Sequence, residues 1–404
     1  MPSGAVGRSL IGRTDTDGKG TAGLELQYDP LLTGSNGEII RQHDSKGRSI
    51  PGADATTKAP VPGQDLVLTI NRSFQFQVEQ ALMQRLQQVR AKSGSVVVMD
   101  SRTGDIYATA NAERDKKDPA KVGITSANMA AVDAFEPGSV AKVFSLAAVV
   151  DSGVATPDTK IDVPGSLVFD AGTKWQSVIS DAEVHGTEQM DMRRIMVHSS
   201  NVGTYLLSQR ITSETLYHYF EAFGFGKKTA LDFPGETAGN VPDPSQWKGT
   251  EAVTVTFGYH YQASAFQFAA AVNAVANGGV YVAPRMLKAI IGANGKVEET
   301  DPAATHRVIK SGTALQMVSM MKDVVCQGTG QDAQLPGISV AGKTGTAYKV
   351  QQGKGYGSNG NRQYRASFVG FFPADNPRVT ILVTIDQPDP FSQDRFGGKA
   401  AAPL

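Results

Sequence analysis

Strand-like runs lie in the first and last thirds of the chain, and helical patterns fill the region between them. Ser95–Asp100 and Asp105–Thr109 alternate or stay apolar around the turn-forming letters Ser-Arg-Thr-Gly, so they predict a β-hairpin. An amphipathic pattern through Phe74–Val89 predicts a helix before it. Further strands are predicted at Ile338–Ala341, Thr346–Val350, Ser367–Phe372 and Val379–Ile385. Strands on both sides of a helical region predict an α+β fold in which one antiparallel sheet is flanked by helices.

Two helical patterns in the middle of the chain carry polar residues. A long apolar run follows the turn Phe135–Gly138, which predicts a buried helix with Ser139 at its N-terminus. Lys142 comes three residues later, so it shares a helix face with this serine. Met190–Leu207 predicts a second helix, and the segment Ser199–Asn201 projects from it.

The first part of the chain differs in composition. Residues 1–62 are rich in Gly, Asp, Ser and Thr and contain few hydrophobic runs, which predicts a small, extended domain that is poorly ordered alone. Thr56–Pro62 has the composition of a linker. The sequence therefore predicts two domains, 1–62 and 63–404, of which the second is large enough for an extensive core.

The amino-acid composition argues against several classes of function. The 404 residues include 39 Lys and Arg and 39 Asp and Glu, so no basic excess attracts nucleic acid. The 6 histidines lack metal-like spacing, and we expect neither a metal nor another cofactor. Cys326 is alone and follows an apolar pattern, which predicts a packed core thiol. No apolar run reaches the length of a membrane span.

Three short motifs occur in one order along the chain. Ser139–Lys142 fits S-x-x-K, Ser199–Asn201 fits S-x-N, and Lys343–Thr346 reads K-T-G-T. Each motif alone is weak, because the chain also contains decoys of the same forms: Ser245–Lys248, Ser319–Lys322, Ser126–Asn128, Lys92–Gly94 and Lys310–Gly312. The decoys lie in a Pro-rich loop, in or just before an ordinary amphipathic helix, or ahead of the first motif. Order and setting therefore leave one combination.

The residue types in this combination suit acyl transfer. A serine hydroxyl is a weak nucleophile until a base takes its proton, and Lys142 can be that base if burial lowers its pKa. The helix N-terminus at Ser139 places backbone N–H groups where an oxyanion would form. Lys343 supplies positive charge, while Thr344 and Thr346 supply hydroxyls suited to a substrate carboxylate. The combination predicts acyl transfer on an anionic peptide.

A nucleotide site is the first alternative. Gly337–Thr344 matches the phosphate-loop pattern G-x-x-x-x-G-K-[ST]. A phosphate loop needs a helix after it, whereas the residues on both sides of Lys343 alternate as strands do. A Ser-His-Asp hydrolase is also disfavoured, because no G-x-S-x-G stretch occurs.

The three motifs together resemble those of penicillin-binding proteins and serine β-lactamases. Longer stretches resemble the class B, monofunctional transpeptidases over nearly the whole chain: Thr21–Gly34, Asp65–Ile70, Phe135–Ser139, Asp181–Thr187, Phe233–Gly239, Ala276–Gly279 and Ser367–Pro373. Asp181–Thr187 and Phe233–Gly239 are most similar to the septal, division-type (penicillin-binding protein 3-like) enzymes. The resemblance implies a transpeptidase or serine β-lactamase-like fold with a partial N-terminal pedestal (dimerisation-type) domain.

The resemblance also implies roles for the matching residues. The catalytic set would be the nucleophile, its base, the second motif and the strand lysine: Ser139, Lys142, Ser199, Asn201 and Lys343. The substrate-binding set would add four residues to the nucleophile: Thr344, Gly345, Thr346 and Tyr259. The backbone N–H groups of Ser139 and Thr346 would form the oxyanion hole. Tyr259 and Tyr261 would line the cleft, although core packing explains them almost as well, and His260 stands where the family usually has glycine.

The activity that the resemblance implies is D,D-transpeptidation of peptidoglycan. Ser139 would attack the bond between two terminal D-alanines of a stem peptide, and an amine of a neighbouring stem would resolve the acyl-enzyme. The implied partners are stem peptides, β-lactam antibiotics, a membrane glycosyltransferase and division proteins. The implied location is the extracytoplasmic face of a bacterial membrane. We expect the native protein to have a membrane anchor that this chain lacks. We also expect this chain to be a soluble fragment that is shortened at its C-terminus.

Two related functions remain open at this stage. A serine β-lactamase uses the same motifs but also positions a water with a glutamate. Glu236–Asn240 has the acid-to-amide spacing of such a deacylation loop, although Phe233–Gly239 is more typical of a surface turn of the transpeptidases. A β-lactam sensor domain or an inactive scaffold would also carry the motifs.

Overall fold

The structure, a computed structural model, describes residues 4, 6–52, 55–173, 176–351, 355–356 and 362–404. In these residues the α-helices are α1 Arg8–Ile11, α2 Gly23–Gln27, α3 Asp29–Leu32, α4 Arg72–Gln88, α5 Met129–Val132, α6 Ala141–Asp151, α7 Met192–Val197, α8 Asn201–Ser208, α9 Ser213–Ala222, α10 Glu251–Thr254, α11 Ala265–Ala276, α12 Ser311–Gln327 and α13 Gly397–Ala400. The strands are β1 Arg13–Thr14, β2 Gly20–Ala22, β3 Glu38–Ile40, β4 Ala55–Lys58, β5 Asp65–Leu68, β6 Ser93–Asp100, β7 Ile106–Arg114, β8 Val122–Ile124, β9 Lys160–Val163, β10 Ser166–Phe169, β11 Ser177–Ser180, β12 Glu188–Asp191, β13 Val280–Val282, β14 Leu287–Ile291, β15 Val297–Glu299, β16 Thr305–Arg307, β17 Ala341–Tyr348, β18 Tyr364–Phe372 and β19 Val379–Asp386. None of the helices described is long and apolar enough to cross a membrane.

A central antiparallel sheet joins strands from distant parts of the chain. Its order is β17-β18-β19-β6-β7-β8, and each neighbouring pair is antiparallel. The C-terminal strand β19 lies beside β6, with Val379 opposite Asp100 and Asp386 opposite Ser93. This pairing confirms the predicted α+β fold, in which strands before and after the helical region form one sheet.

Helices cover both faces of this sheet. In β6, Val97 and Met99 belong to the cluster that also contains the apolar residues of α6, α11 and α12. Val96 and Val98 belong to a second cluster, which they share with α4 and α13. Successive side chains of a strand point to opposite faces, so one continuous apolar run serves both cores.

Strand β17 corrects two sequence predictions. Separate strands were expected at Ile338–Ala341 and Thr346–Val350, but a single strand spans Ala341–Tyr348. Gly342 and Gly345 interrupt the alternation of the sequence, which is why two strands were predicted, yet both glycines pair in register with β18. A Cβ on Gly342 would lie 2.4 Å from the ring of Phe368, so this glycine reflects close packing within the sheet.

The single helix predicted at Met190–Leu207 is wrong. The segment begins in β12, continues as α7, and turns before α8 begins. Ser199 lies in this turn with φ at 57°, in the left-handed region. Ser200 then caps α8, because its hydroxyl accepts a hydrogen bond from the backbone N–H of Gly203 at 2.8 Å. Apolar residues continue at helical spacing across the break, which is why the sequence pattern does not reveal it.

The N-terminal part is more compact than expected. Residues 8–32 contain α1, α2 and α3, so the prediction of an extended segment is wrong there. Leu10 and Leu24 are buried in the main core cluster, and the N–H of Gly7 donates to Glu79 Oε1 at 2.9 Å. Inside the predicted linker, β4 pairs with β3. These helices are four or five residues long, too short for periodicity to identify them.

Cys326, near the C-terminus of α12, is exposed, so the prediction of a packed core thiol is wrong. The buried positions of α12 include Met317, Met321 and Val324. Cys326 follows them in the chain but lies on the solvent side of the helix. The prediction failed because an apolar sequence context does not determine which face a helical residue occupies.

Candidate active site

Ser139 lies in a tight turn at the start of a buried helix. A 3₁₀ turn, Gly138–Val140, leads into α6, of which every residue is buried. Gly138 has φ at 52° and donates its N–H to Gly258 O at 3.1 Å. A Cβ on Gly258 would lie only 2.0 Å from Gly138 O. Glycine at both positions therefore permits the close backbone contact that orients the half-buried Ser139.

Lys142 connects the first motif to the second. It is 0% exposed, and its Nζ donates to the backbone oxygen of Ser199, to Ser199 Oγ at 3.2 Å and to Asn201 Oδ1 at 2.8 Å. Within the described residues, Ser139 Oγ makes no hydrogen bond to this amine, although both stand on one helical turn. The structure thus brings the S-x-x-K and S-x-N residues together, with the amine held by the second motif.

Lys343 approaches the same hydroxyl from β17. It is also 0% exposed, and its Nζ donates to Ser199 Oγ at 2.9 Å and to the backbone oxygen of Thr344 at 3.1 Å. Ser199 Oγ therefore lies between the amino groups of two buried lysines. Residues from α6, from the turn before α8 and from β17 meet at this point, as the three motifs predicted.

Burial lowers the pKa of both lysines. Desolvation is the main cause of the lowered pKa of Lys142, repulsion by Lys343 adds to it, and the charge of Asp181 opposes it. Desolvation lowers the pKa of Lys343 to about 7. Two adjacent ammonium groups repel each other, so the pair loses one proton readily, and the added repulsion at Lys142 favours loss from that amine. A neutral Lys142 can act as a base.

Backbone groups suited to an oxyanion lie where the nucleophile turn meets β17. A Cβ on Gly345 would lie 2.7 Å from Pro137 O, and a Cβ on Gly138 would lie 2.8 Å from Thr346 O. The turn therefore packs directly on the strand, with Gly138, the residue before the nucleophile, against the backbone of Thr346. This placement is compatible with the oxyanion hole implied by the resemblance, whose role stays a prediction.

The two threonines of β17 have partners within the protein. Thr344 is buried, and its Oγ1 lies 2.6 Å from Thr329 Oγ1. Thr346 Oγ1 accepts a hydrogen bond from the N–H of Gly397 at 3.0 Å. A hydroxyl has one donor and two acceptor sites, so Thr346 keeps its donor, and Thr344 keeps its donor when Thr329 is the one that donates. Their assignment to a substrate carboxylate stays a prediction.

The segment after Phe257 lies beside the nucleophile turn, and its two tyrosines occupy different environments. Tyr261 is fully buried in the main core cluster. Tyr259 is half-buried, and its hydroxyl lies 3.5 Å from a backbone N–H at the end of β17. His260 adopts φ at 65°, a conformation that glycine adopts more easily, and donates its N–H to Glu136 Oε1 at 3.0 Å. Tyr261 is therefore a core residue, while Tyr259 stays a candidate for substrate contact.

Asp181, to which the sequence patterns gave no role, organises the turn before α8. Its Oδ1 accepts from the backbone N–H groups of Asn201 at 2.6 Å and Val202 at 3.0 Å. Its Oδ2 accepts from Ser200 Oγ at 2.6 Å, and the side chain is 5% exposed. The sequence marked Asp181–Thr187 only as a stretch typical of the family, because no periodicity links it to the distant helix.

The residues that suggested a nucleotide site or a β-lactamase do not have the structure that those functions need. Lys343 and Thr344 lie inside β17 with strand on both sides, which is incompatible with a phosphate loop. Glu236 is 4% exposed, not at the surface as its turn suggested, and its Oε1 accepts from the N–H and the hydroxyl of Thr229 at 2.9 and 2.5 Å. In the part of the chain that the structure describes, no group of three or more His, Cys, Asp and Glu could hold a metal ion.

Known proteins resemble this chain in sequence and in fold. The family model of the penicillin binding protein transpeptidase domain matches residues 94–404, and that of the penicillin-binding protein dimerisation domain matches residues 8–68. Penicillin-binding protein PbpB of Mycobacterium tuberculosis is 35% identical, over 100% of this chain and 60% of that protein. The probable peptidoglycan D,D-transpeptidase PenA of Neisseria meningitidis is 35% identical, over 100% of this chain and 66% of that protein. The chain thus spans less than two thirds of the length of each of these relatives.

The crystal structures of penicillin binding protein 3 from Mycobacterium tuberculosis have a similar fold. The apo form superposes with a TM-score of 0.86 and 33% identity, over 100% of this chain and 87% of that chain. The complex with aztreonam superposes with a TM-score of 0.85 and the same 33% identity.

Proposed function

Because the chain belongs to the class B penicillin-binding proteins, we propose that it is a serine D,D-transpeptidase that cross-links peptidoglycan stem peptides. The hydroxyl of Ser139 attacks the carbonyl carbon between two terminal D-alanines. The amide bond breaks, the last D-alanine leaves with a proton on its amine, and an ester links the remaining peptide to Ser139. An amine of a neighbouring stem then attacks the ester, which forms the cross-link and restores the hydroxyl.

The observation that supports this proposal is the meeting of Lys142 and Lys343 at the hydroxyl of Ser199. A neutral Lys142 takes the proton of the nucleophile, and Asn201 holds its amine in place. Ser199 Oγ lies within hydrogen-bond reach of both amines, so it can relay a proton towards the leaving group.

The strand β17 supplies the remaining contacts of the proposal. The charge of Lys343 and the hydroxyls of Thr344 and Thr346 attract the terminal carboxylate, and Gly345 lets the nucleophile turn approach the strand. The N–H groups of Ser139 and Thr346 receive the oxyanion. A β-lactam carries a carboxylate beside a reactive amide, so it acylates the same serine.

The wider setting is also part of the proposal. We assign residues 1–62 to a pedestal and 63–404 to the transpeptidase domain. The dimerisation-domain model extends to residue 68, but β5 pairs with β14 of the larger unit. The similarity to penicillin binding protein 3 supports a role in septal wall synthesis at the extracytoplasmic face of the membrane. There the enzyme works with a membrane glycosyltransferase and division proteins.

Intact mass after incubation with a penicillin tests this function. We expect one stable drug adduct on the wild type, none on Ser139→Ala, and a normal adduct on Ser245→Ala, which removes a decoy serine of the same motif. Release of D-alanine from a stem peptide, with a cross-linked product when an acceptor amine is added, separates an enzyme from a sensor domain. Rapid turnover of the drug would instead indicate a β-lactamase, and an adduct on Ser139→Ala would overturn the nucleophile assignment.

A further inference from the structure

His185 contacts Asp181 in a geometry that only a doubly protonated ring satisfies. Its Nδ1 lies 2.7 Å from Gly186 O, and its Nε2 lies 3.0 Å from Asp181 Oδ2. A carbonyl oxygen and an ionised carboxylate oxygen accept hydrogen bonds and have no proton to donate, so both ring nitrogens must carry a proton. The ring and the carboxylate are mostly enclosed, with side chains 12% and 5% exposed. His185 is therefore held as an imidazolium.

The other partners of Asp181 are hydrogen-bond donors. Two of them are the backbone N–H groups of Asn201 and Val202. The third is the hydroxyl of Ser200, which donates to Asp181 Oδ2 at 2.6 Å while its oxygen accepts from the N–H of Gly203. Hydrogen bonds from several donors stabilise a carboxylate in its charged form.

A continuous chain of contacts joins this ion pair to the proposed base. Asp181 accepts from the N–H of Asn201, and the side-chain oxygen of Asn201 accepts from Lys142 at 2.8 Å. We propose that His185 is a positioning residue for acylation, whose imidazolium holds Asp181 and, through it, the Ser199–Asn201 turn against Lys142. Its effect on the reaction rate rests on the proposed transpeptidase function, whereas the protonation of the ring does not.

The charges around the pair give this role a dependence on pH. The charged groups that act on it are Lys142 from α6, which interacts with Asp181, and Glu188 from β12, which interacts with His185 and is itself paired with Arg194 of α7. The hydrogen bond to Asp181 raises the pKa of His185. When pH rises through that pKa, the ring loses one of its two contacts, and Asp181 loses its cationic partner while it keeps its three other donors. The charge of Asp181 raises the pKa of Lys142, so less of this lysine is neutral.

The acylation rate of His185→Gln, measured against pH with a fluorescent penicillin, tests the proposal. Below the pKa of His185 we expect the wild type to react about 10-fold faster than the variant, the effect of one charge-assisted hydrogen bond. Above that pKa the two rates should converge. His218→Gln, which alters an exposed histidine paired with Glu221 on α9, should react as the wild type does at every pH. A wild-type to variant ratio that stays constant with pH, or equals one throughout, would overturn the proposal.

A second measurement needs no enzymatic activity. Titration of the His185 ring by NMR should give a pKa above the ordinary value of about 6.5 in the wild type, and a value near or below it in Asp181→Asn. A ring that titrates at or below the ordinary value in the wild type would contradict the inference even if Ser139 is acylated. If Ser139 is not acylated but the ring titrates high and responds to Asp181→Asn, the proposed function fails and the ion pair stands.

Discussion

Lys142 and Lys343 donate to one hydroxyl oxygen, that of Ser199, at 3.2 and 2.9 Å. Both lysines are 0% exposed, so their ammonium groups have lost most of their hydration. Burial and mutual repulsion both favour the loss of a proton, and the nearby carboxylate of Asp181 limits that loss at Lys142. The balance between these effects decides how much neutral base the site contains.

Replacement of Ser199 by alanine tests the shared hydroxyl. Ser199→Ala removes the group within reach of both amines, so we expect the rate of acylation by a penicillin to fall about 100-fold, as is typical for loss of a proton-transfer group. Ser145→Ala is the matched control, since its hydroxyl donates to Thr256 O at 2.7 Å from the same buried helix as Lys142. If Ser199→Ala reacts within twofold of the wild type, the proton relay is wrong.

The buried ammonium of Lys343 should make stability depend on pH. Its pKa is about 7 in the folded protein against an ordinary 10.5, so the unfolded chain binds more protons between these pH values. The free energy of unfolding should therefore rise with pH across this window, by up to about 1.4 kcal/mol per pH unit from this group.

Urea unfolding at several pH values between these limits measures the slope. Lys343→Met has no group to titrate and should show a flatter profile than the wild type, while Lys248→Met, at an exposed lysine, should not. Equal slopes for wild type and Lys343→Met would show that this lysine does not carry a lowered pKa.

Glycine at position 258 should be required for the nucleophile turn. In Gly258→Ala the new Cβ would lie 2.0 Å from Gly138 O at a backbone φ of 100°, so the turn that carries Ser139 has to shift. We expect loss of the penicillin adduct and a decrease in the free energy of unfolding of about 3 kcal/mol or more.

A second glycine, Gly278, serves as a control that separates the strain of a positive φ from the steric clash with Gly138 O. Gly278 also has positive φ, at 63°, but a Cβ there meets nothing within 4 Å. Gly278→Ala should cost about 1 kcal/mol of unfolding free energy and leave the adduct intact. Similar melting temperatures for the two variants would mean that the contact with Gly138 is not restrictive.

A buried ion-pair cluster next to the nucleophile turn should contribute to stability. Arg365 is 8% exposed and donates to Asp133 Oδ2 at 2.7 Å and to Asp386 Oδ1 at 3.1 Å. Arg365→Met leaves a buried carboxylate with less compensation, so we expect a loss of about 3 kcal/mol in unfolding free energy. Arg48→Met breaks an exposed pair and should cost less than about 1 kcal/mol. Equal losses in chemical denaturation would contradict this account.

Local patterns in the sequence were sufficient for the architecture and for the choice of motifs. Apolar periodicity predicted the buried helix after Ser139, and short apolar or alternating runs predicted β6, β7, β18 and β19, because helices and strands repeat at fixed intervals along the chain. The fold class follows from the order of these elements. The order of the three motifs, and the setting of each, singled out Ser139, Ser199 and Lys343 among their decoys.

The tertiary structure alone decided how these residues interact. The left-handed backbone of Ser199 interrupts a segment whose sequence is typical of one helix. The glycines of β17 do not break the strand; they are glycines because neighbouring atoms leave no room for a side chain. Asp181 acquires its role from contacts with Ser200 and Asn201, 19 and 20 residues further along the chain, and His185 acquires its role from its contact with Asp181. Periodicity records only local geometry, whereas burial, charge compensation and close backbone packing depend on segments that folding brings together.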